Sequence, residues 1–199
     1  MILIIDYGMG NLRSVEKAFT HLGADVHVGS DPSMIPKADK IVVPGVGSFD
    51  HAVQELKQRS LFEPILQAIS SGKPYLGLCL GLQLLFTNSE EGKEHGFGLI
   101  KGQVRKFPPN LKVPHMGWNQ VQFTHSECPF WKGIPDGSFF YFVHSYFVVP
   151  DEPAVCEGKT EYGTNFISAV WKKNIFATQF HPEKSQEIGL RFLKNCLEN

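Results

Sequence analysis

Residues 75–81, Tyr-Leu-Gly-Leu-Cys-Leu-Gly, leave the backbone little choice. Tyr75 to Leu78 is an apolar run of strand length, and Leu80 to Phe86 resumes a helical pattern with no loop between them. A chain that passes straight from strand to helix must turn sharply at Cys79. The two elements then approach so closely that Gly77 and Gly81 are needed where a Cβ would collide. Cys79 stands at the apex in a strained conformation, at a helix N-terminus whose partial positive charge favours a thiolate. Taken alone, the spacing also fits a small cysteine buried between strand and helix.

The segments before the elbow repeat its strand-then-helix grammar. Ile2 to Ile5 is a continuous apolar run, as expected of a strand covered on both faces. Asn11 is placed as an N-cap for a helix carrying Leu12, Val15, Ala18, Phe19 and Leu22, which Gly23 closes. Short strands follow at Asp25 to Val28 and Lys40 to Val43, then helical patterns reach about Ser70, where Gly72-Lys73-Pro74 stops them. This alternation predicts an α/β fold, a mostly parallel central sheet flanked by helices, with functional groups where strands end. From Leu99 the texture changes. Alternating stretches at Gln120 to Phe123, Phe139 to Val149 and Phe166 to Trp171 predict an additional antiparallel section, followed by a strand from Ile175 to Phe180 and a helix from Gln186 to Leu197 with Ile188, Phe192 and Leu193 inward.

At 199 residues, 42% hydrophobic and 20% charged, residues 1–199 read as a single domain. Lys and Arg total 19 against 20 Asp and Glu, and no basic run interleaves with aromatics, so a nucleic-acid or anionic-membrane footprint is missing. The N-terminal apolar run lacks a basic flank, is broken by Asp6 and reaches no cleavage site, and no stretch approaches the roughly 18 to 20 apolar residues of a membrane span. A soluble, cytoplasmic protein is expected. Cys79, Cys128, Cys156 and Cys196 form no C-x-x-C pair, which argues against a disulfide framework or a zinc site. His115, Trp118, Tyr141 and His144 are read as core or locally bonded residues and none is assigned to a metal; no cofactor is expected.

Two further segments carry chemistry. In Gln179-Phe180-His181-Pro182-Glu183, Pro182 biases His181 to an extended backbone, so side chains 181 and 183 point to one side and the carboxylate orients the imidazole. The free ring nitrogen can then take a thiol proton and deliver it to a leaving group. A plain surface pair at a strand end is the alternative. Pro44-Gly45-Val46-Gly47-Ser48-Phe49 is a Gly-rich turn able to aim backbone N–H groups, with the amide of Leu80, at a developing oxyanion. It also reads as an ordinary turn; a nucleotide loop is excluded because no Lys-Ser/Thr follows.

PGVG, G-x-C-x-G-x-Q at 77–83 and the late F-H-P-E together resemble the class I, or triad-type, glutamine amidotransferases. The resemblance spans the chain. Within that family IDYGMGNLRSVEKA, PHMGWN at 114–119 and YFVHSY at 141–146 are similar to the glutaminase subunits of imidazole glycerol phosphate synthases. It implies that Cys79 is the nucleophile, His181 the base and Glu183 its orienter, with Val46 and Leu80 supplying the oxyanion hole. It also implies that Gly45, Gly47, Gln83, His144, Ser145 and Tyr146 hold the glutamine. The implied partner is a (β/α)₈-barrel cyclase subunit, forming a heterodimer that receives ammonia through a tunnel and serves histidine biosynthesis; Tyr141 and Lys184 would face it. A different acceptor synthase, a non-catalytic glutamine-binding scaffold and a cysteine peptidase are the competing readings.

Overall fold

The computed structural model describes residues 1–125 and 127–199, with Cys156 described by its backbone alone. Its first half alternates β1 (Ile2–Ile5), α1 (Leu12–His21), β2 (Val26–Gly29), β3 (Lys40–Gly45), α2 (Phe49–Gln58), α3 (Phe62–Ser70), β4 (Tyr75–Cys79) and α4 (Leu80–Gln83). Then come β5 (Asn88–Ser89), β6 (Gly102–Lys106), β7 (His115–Phe123), β8 (Ser138–His144), β9 (Tyr146–Pro150), β10 (Cys156–Glu161), β11 (Asn165–Lys172), β12 (Ile175–Thr178) and the closing helix α5 (Gln186–Glu198). Strands β2-β1-β3-β4-β12 pair in parallel, and β12 passes into an antiparallel section through β11.

Strand periodicity divides the core between the two faces of the parallel sheet. Leu3, Ile5, Ile41 and Val43 pack with Val53 and Leu56 of α2 and Ile65 and Ile69 of α3. Ile2, Ile4, Val42, Leu76 and Leu78 pack on the opposite face, with Val15 and Phe19 of α1 and Phe192 and Leu193 of α5. These strands have no solvent face, which is why their sequences run apolar without alternation.

The antiparallel section contributes a wall beside the carboxyl end of that sheet. β7 pairs with β8 from His115↔His144 to Val121↔Ser138, and β6 pairs with β9. The single alternating stretch expected at Phe139 to Val149 is two strands, because the ladder breaks at Ser145 and β9 leaves β8 to pair with β6 and β11. β12 stops at Thr178 rather than Phe180, where the Thr178 hydroxyl donates to the Phe180 carbonyl at 2.9 Å and the chain bends away. Asn11 occupies the N-cap position of α1, but its side chain makes no capping bond.

The elbow is held by contact distances that tolerate no added atom. A Cβ on Gly81 would lie 2.0 Å from the Val43 carbonyl oxygen, and one on Gly77 would lie 2.6 Å from the Gly81 carbonyl oxygen. The Tyr75 hydroxyl donates to that same Gly81 carbonyl at 2.8 Å, tying helix α4 back onto the strand that precedes it. The helical pattern expected to Phe86 is regular only to Gln83, after which the chain closes in tight turns. Substituting Gly81→Ala forces backbone against backbone and is expected to cost about 3 kcal/mol. Gly23→Ala, at φ +81° with nothing within 4 Å, should cost only about 1 kcal/mol of backbone strain. Urea unfolding of the two variants measures the difference.

Candidate active site

Three adjacent parallel strands deliver the three segments singled out by sequence. β4 lies between β3 and β12, with Gly45 opposite Cys79 on one side and Thr178 opposite Leu78 on the other. The Gly-rich turn, the cysteine and the His-Pro-Glu segment therefore leave the same edge of the sheet, where helix and strand ends concentrate polar groups. Cys79 has φ 54° and ψ −100°, a backbone that a side-chain-bearing residue adopts only under constraint. Only 5% of it is exposed. Its sulfur accepts from Gln179 Nε2 at 3.6 Å.

His181 and Glu183 form a dry pair. Nδ1 of the imidazole meets Glu183 Oε1 at 2.8 Å, both side chains being almost fully buried. Sequence reasoning placed the two side chains together through an extended backbone; the structure reaches the same contact differently. His181 is extended at φ −103° and ψ 93°, but Pro182–Lys184 is a turn of 3₁₀ helix that folds the carboxylate back under the ring. Strand β8 fixes the segment, since His181 N donates to the Tyr141 carbonyl at 2.9 Å and the Ser185 hydroxyl donates to the His181 carbonyl at 2.7 Å. Burial works against a charged imidazole here. The Cys79 sulfur and the Glu183 carboxylate overcome it, and the His181 pKa stands raised to about 10. Among the described residues Nε2 nevertheless finds no hydrogen-bond partner of ordinary geometry, so the sulfur acts on the ring by proximity.

A cleft of about 290 Å³ opens in front of Cys79. Val46, Gly47, Leu80, Gln83, His144, Ser145 and Tyr146 all line it. Gly45 does not. It is the buried last residue of β3, where a Cβ would fall 2.1 Å from the Tyr7 hydroxyl and 2.9 Å from Leu80 Cβ, so its smallness is a packing requirement. Gln83 donates from Nε2 to the Tyr146 carbonyl at 3.1 Å and to Gln179 Oε1 at 3.4 Å.

Three lining residues escaped sequence reasoning: Glu91, Pro114 and Val143. Glu91 is the informative one. Its Oε2 accepts from Phe49 N at 2.7 Å, in the first turn of the helix that follows the Gly-rich segment, and burial raises its pKa despite that bond. A carboxylate in the cleft suits a ligand bearing an ammonium group. In sequence it stands in Asn-Ser-Glu-Glu-Gly-Lys-Glu, which reads as a solvated loop with no sign that one carboxylate turns inward. Among the described residues no group of three or more His, Cys, Asp or Glu side chains is arranged to hold a metal. Cys79, Cys128 and Cys196 are free thiols, and the side chain of Cys156 lies outside the described residues. No described helix is long and apolar enough to cross a membrane.

Comparison with known proteins agrees with this geometry. Residues 3–199 match the family described as glutamine amidotransferase class-I. The imidazole glycerol phosphate synthase subunit HisH of Syntrophotalea carbinolica is 51% identical over 203 residues, covering 98% of each chain. That of Geobacter metallireducens is 50% identical, covering 98% of this chain and 96% of its own. In fold, the structure of PurLQS from Thermotoga maritima superposes with a TM-score of 0.77 at 18% identity, over 99% of this chain and 97% of that one. The chain belongs to the class-I glutamine amidotransferases, in the branch formed by the HisH subunits of imidazole glycerol phosphate synthase.

Proposed function

We propose that this protein is the glutaminase subunit of an imidazole glycerol phosphate synthase, releasing ammonia from glutamine with Cys79, His181 and Glu183. The observation that carries the reading is the buried imidazole–carboxylate pair beside a cysteine held at a strained strand-to-helix turn. His181 takes the thiol proton as the sulfur becomes a nucleophile. The sulfur attacks the carboxamide carbon, and the backbone amides of Val46 and Leu80 receive the oxyanion. His181 gives a proton to the departing nitrogen, ammonia leaves, and a γ-glutamyl thioester remains on Cys79. Water, deprotonated by His181, then hydrolyses the thioester, giving glutamate and restoring the thiol. Glu183 holds the ring so that Nε2 faces the chemistry throughout. Gln83, Glu91, Gly47 and the His144-Ser145-Tyr146 segment surround the amino-acid end of the substrate.

The relatives' name implies a second subunit, and an exposed apolar patch supports one. Met116 is 62% exposed, Trp118 46% and Phe139 52%, on paired strands β7 and β8, and Trp118 and Phe139 line an open groove with Ser185 to Ile188. That groove abuts the catalytic segment through Ser185. Lys184 lies 5.8 Å over the Tyr141 ring at the same edge. The occupant is a (β/α)₈-barrel cyclase, which receives the ammonia by a dry route because in neutral water it would become ammonium and lose its nucleophilicity. Free thiols suit a reducing compartment such as the cytoplasm.

Cys79→Ala should lower glutamine hydrolysis in the complex by about 10⁴-fold or more while leaving the fold intact; unchanged hydrolysis would remove the assignment. Restored growth of a histidine auxotroph lacking this subunit identifies the acceptor synthase, since a subunit fitted to another synthase would not rescue it. Glu183→Gln removes one of the interactions that raise the His181 pKa. A raised folded-state pKa contributes stability that is fully present below the ordinary histidine value near 6.5 and is lost as pH climbs through about 10. The stability advantage of the wild type over Glu183→Gln should therefore be full near pH 6 and fade toward pH 10, as urea unfolding at a series of pH values would show.

A further inference from the structure

Two histidines, His144 in the lining of the cleft and His115 behind it, take no part in the proposed proton transfers. His115 Nδ1 lies 2.9 Å from His144 Nε2, His144 Nδ1 lies 2.8 Å from the Tyr146 carbonyl oxygen, and Asn119 Nδ2 lies 3.2 Å from His115 Nε2. These contacts admit one direction only. A carbonyl oxygen can only accept, so His144 carries its hydrogen on Nδ1 and presents Nε2 as an acceptor. His115 must then carry its hydrogen on Nδ1 as well, and its Nε2 accepts from the Asn119 amide. Burial holds both rings neutral at physiological pH, with pKa values lowered to about 4 for His115 and about 3 for His144.

The chain continues into the site. The Tyr146 carbonyl that accepts from His144 also accepts from Gln83 Nε2 at 3.1 Å. The second hydrogen on that nitrogen goes to Gln179 Oε1 at 3.4 Å, and Gln179 in turn donates to the Cys79 sulfur. With both hydrogens so directed, the atom Gln83 has left for a ligand is its carbonyl oxygen, an acceptor suited to the N–H groups of glutamine. His115 is seated for this role by two rings stacked on its faces, Phe142 at 5.0 Å and 26° and Tyr162 at 4.1 Å and 25°. Asn119 is itself anchored, donating to the Glu161 carbonyl at 2.8 Å.

We infer that His115 is a positioning residue for glutamine: as an Nδ1–H donor to His144 Nε2 it holds the His144 ring with its Nδ1–H on the Tyr146 carbonyl, and through that carbonyl the orientation in which Gln83 meets the substrate. The inference rests on the proposed glutaminase reading. His115 touches no reacting atom, so its loss should weaken glutamine binding more than turnover.

Two substitutions separate hydrogen bonding from packing. His115→Phe keeps an aromatic ring between Phe142 and Tyr162 but removes the donor; His115→Asn restores a donor near the Nδ1 position and removes the ring. In the complex with the cyclase subunit and its ligand, His115→Phe is expected to raise the KM for glutamine about tenfold, the size a lost hydrogen bond carries, with kcat within about threefold. His115→Asn is expected to keep KM within about threefold of wild type even if its melting temperature falls. A merely structural role predicts the reverse order. A KM increase below about threefold in His115→Phe, or an equal increase in both variants, overturns the inference. Nitrogen-15 chemical shifts of the wild type decide the same point should His115→Phe fail to fold. Both rings should be neutral with the hydrogen on Nδ1 from pH 6 to 8; an imidazolium, or a hydrogen on Nε2 of either ring, overturns it. Wild-type complex that hydrolyses no glutamine would instead sink the glutaminase reading, and the tautomers would still judge the chain of bonds.

Discussion

The rest of the site depends on how closely helix α4 is pressed into the sheet it leaves. Gly77 meets Gly81 across the turn, Gly81 meets the Val43 carbonyl, and Gly45 fits beneath Leu80 and the Tyr7 hydroxyl. Those approaches hold Cys79 at a positive φ that its own side chain disfavours, and the parallel ladder keeps the end of β3 beside it. Strain at one residue is sustained because many well-packed neighbours over-determine its backbone. The core on both faces of the sheet is thus the source of the geometry: Leu76 and Leu78 anchor β4 on one side, and Tyr75 and Leu80 anchor it on the other.

Geometry alone would leave a cysteine at a corner. Its surroundings add electrostatics that water cannot dilute, since His181 and Glu183 are nearly inaccessible and a charge pair in such a medium interacts far more strongly than at the surface. The cost of burying a charged imidazole is offset by two partners, the carboxylate at one nitrogen and the sulfur beyond the other. The antiparallel section supplies the fixture. β8 grips His181 through the Tyr141 carbonyl, and Ser185 bonds both to that strand, accepting from Tyr141 N, and to the His181 carbonyl.

Much of this was legible in the sequence, and what was not has physical reasons. Apolar runs at Ile2 to Ile5 and Tyr75 to Leu78 reveal strands covered on both faces, and the glycines around Cys79 reveal the elbow, because both signals are local. The partners of β7 and β8 are not local. Nothing in the chain states that His115 faces His144 across a ladder, since register is set by tertiary pairing. The His181–Glu183 contact was anticipated for a different reason than the one that produces it. Pro182 favours an extended residue before it, but also starts a 3₁₀ turn, and the turn brings the carboxylate to the ring. Glu91 and Gln179 were invisible as site residues because a polar side chain in a loop or after a strand has no sequence mark for burial.

Three buried histidines in and around the cleft meet different fates, and the comparison shows what sets a protonation state here. His115, His144 and His181 are all buried, so desolvation pushes each toward the neutral form. Only His181 has a carboxylate at one nitrogen and a sulfur near the other, and only its pKa is raised. For His144 desolvation outweighs the upward pull of the Tyr146 carbonyl on its Nδ1–H, and the neighbouring His115 and His181 rings lower its pKa further. The charged histidine is thereby suited to move protons, and the neutral pair to fix directions. A substitution that charged His144 would place a second cation beside the first and reverse the hydrogen bond at Nε2. The neutrality of that pair is thus a condition on the cleft as much as the charge of His181 is a condition on the chemistry.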